Sequence, residues 1–114
     1  MPYAKIETNI KLDSLKEQEL LKTASVFFAT LLEKSEEHVM VSVSHNTAVI
    51  FGKNSDPAAY VELKSMSIKE DICTDLSKEI CGFLNKHLGI LPNRIYIEFS
   101  TINGKMFGCN SKTF

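Results

Sequence analysis

Three prolines and five glycines among 114 residues are too few for a disordered or collagen-like chain. An excess of charge of one sign is also missing, because 13 Lys and Arg stand against 14 Asp and Glu. Without a basic face there is no electrostatic footprint for nucleic acid or for an anionic membrane, and neither partner is expected. Long apolar runs are absent as well. The longest, Ala24 to Leu32, is broken by Ser25 and Thr30 and falls well short of the roughly 20 residues a membrane span requires. The N-terminus, Met1-Pro2-Tyr3-Ala4-Lys5-Ile6, enters strand-like sequence with no apolar region of the secretory type. A cytoplasmic location is therefore expected, with export by a route that uses no signal peptide left open. Cysteine is scarce too: Cys73, Cys81 and Cys109 are odd in number, form no C-x-x-C, and have no H-x-x-x-H companion among His38, His45 and His87. A disulfide scaffold and a zinc site both fall, and no metal is expected. Cys73 and Cys81, eight apart in a helical pattern, are read as small core-facing residues.

What the chain does have is 44% hydrophobic residues, and a chain of this size buries roughly two-thirds of its unfolded surface in one core. Residues 2 to 9 read as a strand. Ser14-x-x-Glu17 reads as a capping box opening a helix with the stripe Leu20, Leu21, Ala24, Phe27, Phe28, Leu31, Leu32, ending near Lys34. Val39, Val41 and Val43 alternate with polar or exposed positions as a half-buried strand. A turn at His45-Asn46 then leads to a short strand from Ala48 to Phe51. His45 is read as a surface residue.

After Asn54-Ser55-Asp56-Pro57 the order repeats: a strand from Ala58 to Met66, a capping box Ser67-x-x-Glu70, a helix through Ile72, Leu76, Ile80, Phe83, Leu84 and Leu88, and a stop at Gly89. Ile95, Ile97 and Phe99 then alternate as a strand, and a turn at Asn103-Gly104 leads through Lys105 to Gly108. An offset of 56 residues superposes Leu20 on Leu76, Phe27 on Phe83, Val41 on Ile97, and Phe51-Gly52 on Phe107-Gly108. The expectation is one domain, 1–114, built from pseudo-repeats at about 2–52 and 58–108. Two β-α-β units side by side make an α+β fold: a four-stranded mixed sheet with two antiparallel helices on one face. The other face, with Met40, Tyr60 and Tyr96, is expected to be apolar enough for subunits to meet there.

This arrangement resembles the macrophage migration inhibitory factor family of the tautomerase superfamily over essentially the whole chain. The residues that carry the resemblance include Met1-Pro2 with Thr8-Asn9, Lys34, Asp56-Pro57-Ala58-Ala59, Ser65-Met66, Cys81-Gly82, Asn93-Arg94-Ile95-Tyr96-Ile97 and the tail Gly108-x-Asn110-Ser111-x-Thr113-Phe114. The resemblance implies a homotrimer sharing edge strands and a keto–enol tautomerase without a cofactor, acting on small keto or enol acids such as phenylpyruvate. It also implies that Pro2, freed by removal of Met1, is the catalytic acid and base. Chemically the role is apt: a free α-amino group titrates at about 7.7–8.0, and desolvation or a nearby cation lowers that value, leaving a neutral base near pH 7.

By the same resemblance, Lys34 binds the substrate carboxylate and helps lower the Pro2 pKa. Ser65 and Met66 form the substrate-binding segment, with the Met66 amide receiving a substrate oxygen. His38, Phe107 and Cys109 form pocket walls, and Tyr96 and Glu98 reach the pocket from a neighbouring subunit. Several positions depart from the family's pattern: Cys109 stands where a ring is usual and supplies less stacking surface, His38 replaces a common Tyr, and Glu98 replaces a common Asn. The family's thiol oxidoreductase motif is missing, with Ala58 and Val61 at its cysteine positions. The competing reading is a cytokine-like protein that works through a protein receptor and keeps weak tautomerase activity. A blander one is a structural duplicate with an unused pocket.

Overall fold

In the computed structural model, which describes all residues 1–114, strand β1 (Tyr3–Thr8) alternates strictly between burial and exposure. Its inward residues Ala4, Ile6 and Thr8 are fully buried. Thr8 is the polar exception, and its hydroxyl is satisfied by donating to the Ala58 carbonyl at 2.7 Å and accepting from the Ile10 amide at 3.2 Å.

Helix α1 (Ser14–Leu32) starts one residue earlier in its capping than the sequence suggests. The cap is Asp13, whose carboxylate accepts the Lys16 amide at 2.8 Å, so Ser14 is the first helical residue and not the cap. Glu17 is drawn elsewhere: it takes a hydrogen bond from His45 Nε2 at 2.6 Å, while His45 Nδ1 accepts the Leu12 amide at 3.3 Å. His45 is thus a half-buried strut between its own turn and the start of α1, contrary to its reading as a free surface residue. Glu33 ends the helix in the left-handed region, at φ 54°.

A 3₁₀ turn (Glu36–His38) leads into β2 (Met40–Ser44), parallel to β1. The short strand expected from Ala48 to Phe51 does not form within the chain. Only Phe51 and Asn54 pair, across a tight turn, because no neighbouring strand of the same chain reaches residues 48–51.

Strand β3 (Ala59–Ser65) runs antiparallel to β1, and helix α2 (Glu70–Leu88) follows. The expected cap at Ser67 is also displaced: Ser67 takes φ 64° in the connecting turn, and Lys69 precedes the helix with no side-chain cap. Glu70 and Asp71 in the first turn compensate through the helix dipole. Gly89 closes α2 at φ 68°, a conformation that favours glycine. A 3₁₀ turn (Pro92–Arg94) opens β4 (Ile95–Thr101), parallel to β3. The sheet order is β2-β1-β3-β4.

Both helices have 19 residues, and their bounds and the starts of β1 and β3 are spaced by the same offset seen in the sequence. We propose on this equivalence that 1–114 is one domain made of two copies of a β-α-β unit, about 2–52 and 58–108.

Both helices cover one face of the sheet. Phe28, Ile6, Leu63, Ile80, Leu84 and Ile90 are fully buried, each contributing roughly 1.5–3 kcal/mol of transfer free energy. Phe27 and Phe83 stack between the helices at 4.3 Å. Cys81 packs against this core. Cys73 does not, and its thiol donates to the Lys69 carbonyl on the helix surface instead. No helix is long and apolar enough to cross a membrane.

The open face differs from expectation. Strand register aligns Met40, Tyr3, Lys64 and Ser100 in one row, Ser42, Lys5, Glu62 and Glu98 in the next, and Ser44, Glu7, Tyr60 and Tyr96 in a third. Charged and polar side chains outnumber apolar ones there, so apolar area alone does not argue that subunits meet on this face.

The loop joining the two units is held by two side chains. Asn9 donates to the carbonyls of Ser55 and Asp56 and accepts the Ala58 amide. Arg94 donates to the carbonyls of Phe51 at 2.6 Å, Asp56 at 2.8 Å and Pro57 at 3.3 Å, with its guanidinium 4.9 Å from the Phe51 ring centre. Arg94→Ala should destabilise the fold by about 1.5–3 kcal/mol, the range for hydrogen bonds to a charged group. Arg94→Lys should recover little, because only the planar fork reaches several carbonyls at once. Urea unfolding with unchanged m-value measures both.

Candidate active site at the N-terminus

The chain starts at the end of the central strand, and this places residue 2 beside a cavity of about 880 Å³. Met1, Pro2 and Tyr3 form its floor. Glu37, His38 and Val39, between α1 and β2, form one side. Met40, Ser42 and Lys64 supply the sheet side, and the C-terminal segment closes it with Ile102, Phe107, Cys109 and Phe114. The Pro2 ring is fully buried, and the Pro2 carbonyl accepts the Met40 amide at 3.0 Å, extending the β1–β2 pairing to the edge of the cavity.

Electrostatics at this end favour a neutral amine. Burial, followed by the charge of Lys34, pulls the Met1 amino group below its ordinary 8.0. Lys34 is held just beyond α1, its amide donating to the Ala29 carbonyl at 2.9 Å. It does not line the cavity itself, but it acts on the amine that does.

His38, Phe107 and Cys109 line the same cavity as Pro2. Ser65 and Met66 lie behind that wall. Ser65 is buried, its carbonyl accepts the Ile102 amide at 2.9 Å, and its hydroxyl has no partner. Met66 packs against Gly104, where a methyl group would come within 3.2 Å of the Met66 sulfur and 3.3 Å of Phe114. This close approach seats the C-terminal segment, whose Phe114 amide donates to the carbonyls of Gly104 and Phe107. The short strands β5 (Gly108–Cys109) and β6 (Lys112–Thr113) form its hairpin.

Tyr96 and Glu98 are not brought to this cavity within one chain. Tyr96 packs on Phe51 at 4.7 Å, at a separate hollow with Glu7 and Tyr60. Glu98 accepts the Tyr60 hydroxyl at 3.2 Å on the open face. Sequence reasoning missed Tyr3, Glu37, Ser42 and Lys64. Strand alternation alone sets Tyr3 and Lys64 on exposed faces, but only the β1–β3 register makes them neighbours. No group of three or more His, Cys, Asp and Glu side chains converges to hold a metal.

On the open face, burial first, and then the adjoining Glu98 and Glu62 carboxylates, push the Tyr60 phenol from 10.0 up to about 12. The folded chain therefore holds this proton more tightly than the unfolded chain. The resulting stabilisation is constant below pH 10.0 and is lost as pH rises toward about 12. Phenolate absorbance in a Tyr3→Phe, Tyr96→Phe background should show this late titration, and Glu98→Gln should move it downward.

Comparison with known proteins agrees with this geometry. The family model described as macrophage migration inhibitory factor matches residues 1–114. The macrophage migration inhibitory factor homolog of Brugia malayi is 35% identical, with 100% of this chain and 99% of that protein covered. The homolog of Trichinella spiralis is 34% identical, covering 100% of both. The solved structure of the Trichinella spiralis factor superposes with a TM-score of 0.91 at 32% identity, covering 98% of this chain and 99% of that one. A homologue from Prochlorococcus marinus gives 0.90 at 31% identity, covering 98% of each. With matches across its full length and an α+β fold shared with these structures, the chain belongs to the macrophage migration inhibitory factor family, within the tautomerase superfamily.

Proposed function

We propose that the protein is a keto–enol tautomerase that needs no cofactor, acting on phenylpyruvate-type acids with Pro2 as general acid and base after removal of Met1. The observation that carries this reading is the position of Pro2 at the cavity floor, beside a Met1 amine whose pKa is lowered by burial and by Lys34; the same surroundings would act on the Pro2 nitrogen once Met1 is removed. In the proposed reaction the neutral Pro2 nitrogen takes a proton from the carbon beside the substrate carbonyl. The electron pair of that C–H bond forms the C=C bond as the carbonyl π pair moves onto oxygen, and the protonated Pro2 gives its proton to that oxygen, directly or through solvent, leaving the enol and a neutral amine. The reverse passage restores the ketone. Lys34 would hold the carboxylate, the Met66 amide would receive a substrate oxygen beside Ser65, and His38, Phe107 and Cys109 would bound the substrate. General base catalysis of this kind is worth about 10²–10⁴ in rate.

The same reading requires a homotrimer, because Tyr96 and Glu98 lie away from the cavity of their own chain and would have to enter that of a neighbour. Two features support it. Strands β2 and β4 are free sheet edges, open to pairing with other copies, and Met40, Ile50, Tyr96 and Met106 are large apolar residues left exposed. A second reading, a cytokine-like protein acting through a receptor with weak tautomerase activity, is favoured by Cys109, which leaves the cavity with less aromatic surface than a ring would. Both readings are compatible with a cytoplasmic protein and with one that is exported.

Intact mass should show active protein lacking Met1, since an amide at Pro2 has no basicity, and active material retaining Met1 refutes the mechanism. Pro2→Gly should lower kcat/KM for phenylpyruvate by about 10²-fold or more without loss of fold. Lys34→Ala should raise the pKa of the ascending, acidic limb of the pH–rate profile, because removing a cation favours the protonated amine, and should raise KM. Sedimentation equilibrium at micromolar concentration should give three copies, and a monomer would leave Tyr96 and Glu98 outside the site.

A further inference from the structure

The cavity contains one cation that the proposed reaction leaves without a role. Lys64 stands directly opposite Tyr3 in the β1–β3 pairing, and with Met40 and Ser42 it makes the sheet side of the cavity. The chain's one ion pair joins His45 and Glu17, so the Lys64 ammonium has no carboxylate partner. Glu37 is the single acidic side chain on the cavity wall, and it is equally unpaired. Lys34, just beyond α1 and outside the cavity lining, acts on the Met1 amine. Two cations therefore stand at this end of the molecule, one following α1 and one on the sheet side of the cavity.

A monocarboxylic keto acid can engage only one of them. At the same time Cys109 reduces the stacking surface that would otherwise reward an aromatic tail. Resting on the tautomerase reading, we propose that Lys64 is a second anion-binding residue, selecting keto acids that carry another carboxylate beyond the one beside the carbonyl. A cation on a concave wall binds a carboxylate through a charge-assisted hydrogen bond, which is stronger than a neutral one. The second carboxylate then contributes affinity that a lone aromatic ring would not find here.

The experiment titrates phenylpyruvate and para-carboxyphenylpyruvate by calorimetry into the processed protein and into Lys64→Gln, Lys64→Glu and Lys64→Arg, and follows enol decay of both acids in parallel. The wild-type protein should bind the diacid about tenfold more tightly. That ratio should fall to near one in Lys64→Gln, fall below one in Lys64→Glu, and return in Lys64→Arg. If the ratio behaves this way but neither acid is turned over, the tautomerase reading falls and the Lys64 assignment stands. A ratio that Lys64→Gln leaves unchanged overturns the assignment even when turnover is intact; neutralisation of the ammonium by Glu37 or by Glu98 of another copy would give that result. A wild-type ratio at or below one, or no binding of either acid, also overturns it, and neither result depends on the variants folding.

Discussion

Everything at the candidate site depends on the backbone pairing of β1 to strands on both sides. Tyr3 pairs with Met40 on one side and Lys64 on the other, so the first strand residue of the chain sits inside the sheet and not at its edge. A chain terminus is ordinarily a mobile place. Here the inward burial of Ala4, Ile6 and Thr8 and the bond from Met40 to the Pro2 carbonyl hold residue 2 in one position. A terminal amine can be tuned by its surroundings only if those surroundings are constant, and this pairing supplies that constancy.

The two β-α-β units contribute unequally to the cavity. The first gives the terminus, the segment from Glu37 to Met40, and Ser42. The second gives Lys64 and, after β4, the C-terminal wall. That wall is seated by contacts with little tolerance: Gly104 lies against Met66 and Phe114, and Phe114 returns two backbone bonds to the turn. Arg94 and Asn9 bind the loop between the units from opposite ends of the chain, keeping the two halves in register around the site.

Where local pattern and structure disagree, long-range partners decide the outcome. Ser14-x-x-Glu17 has the spacing of a capping box, yet Asp13 takes the cap and Glu17 is engaged by His45, a residue 28 positions away. Ser67 has the same spacing to Glu70, but the turn out of β3 forces it to φ 64° and the helix starts later. The stretch Ala48 to Phe51 has strand-forming residues but no neighbour to pair with in its own chain. Cap and strand signals describe what a segment can do, and packing selects among those options.

Periodicity by itself determined the class of this protein: two amphipathic helices and four alternating strands in the order that yields an α+β layer, because burial on one face leaves a period that can be read directly. Pro2, Lys34, His38, Phe107 and Cys109 were legible as a set only through resemblance, since nothing local connects residues so far apart in sequence. Tertiary structure alone decided that Lys64 and Tyr3 share the cavity, that His45 is a strut, and that the open face is mostly polar. It also left Tyr96 and Glu98 pointing away from the Pro2 of their own chain. The reason is register: a strand's alternation says which residues share a face, but the hydrogen-bonded alignment of two strands says which residues touch, and that alignment depends on every side chain the sheet must bury.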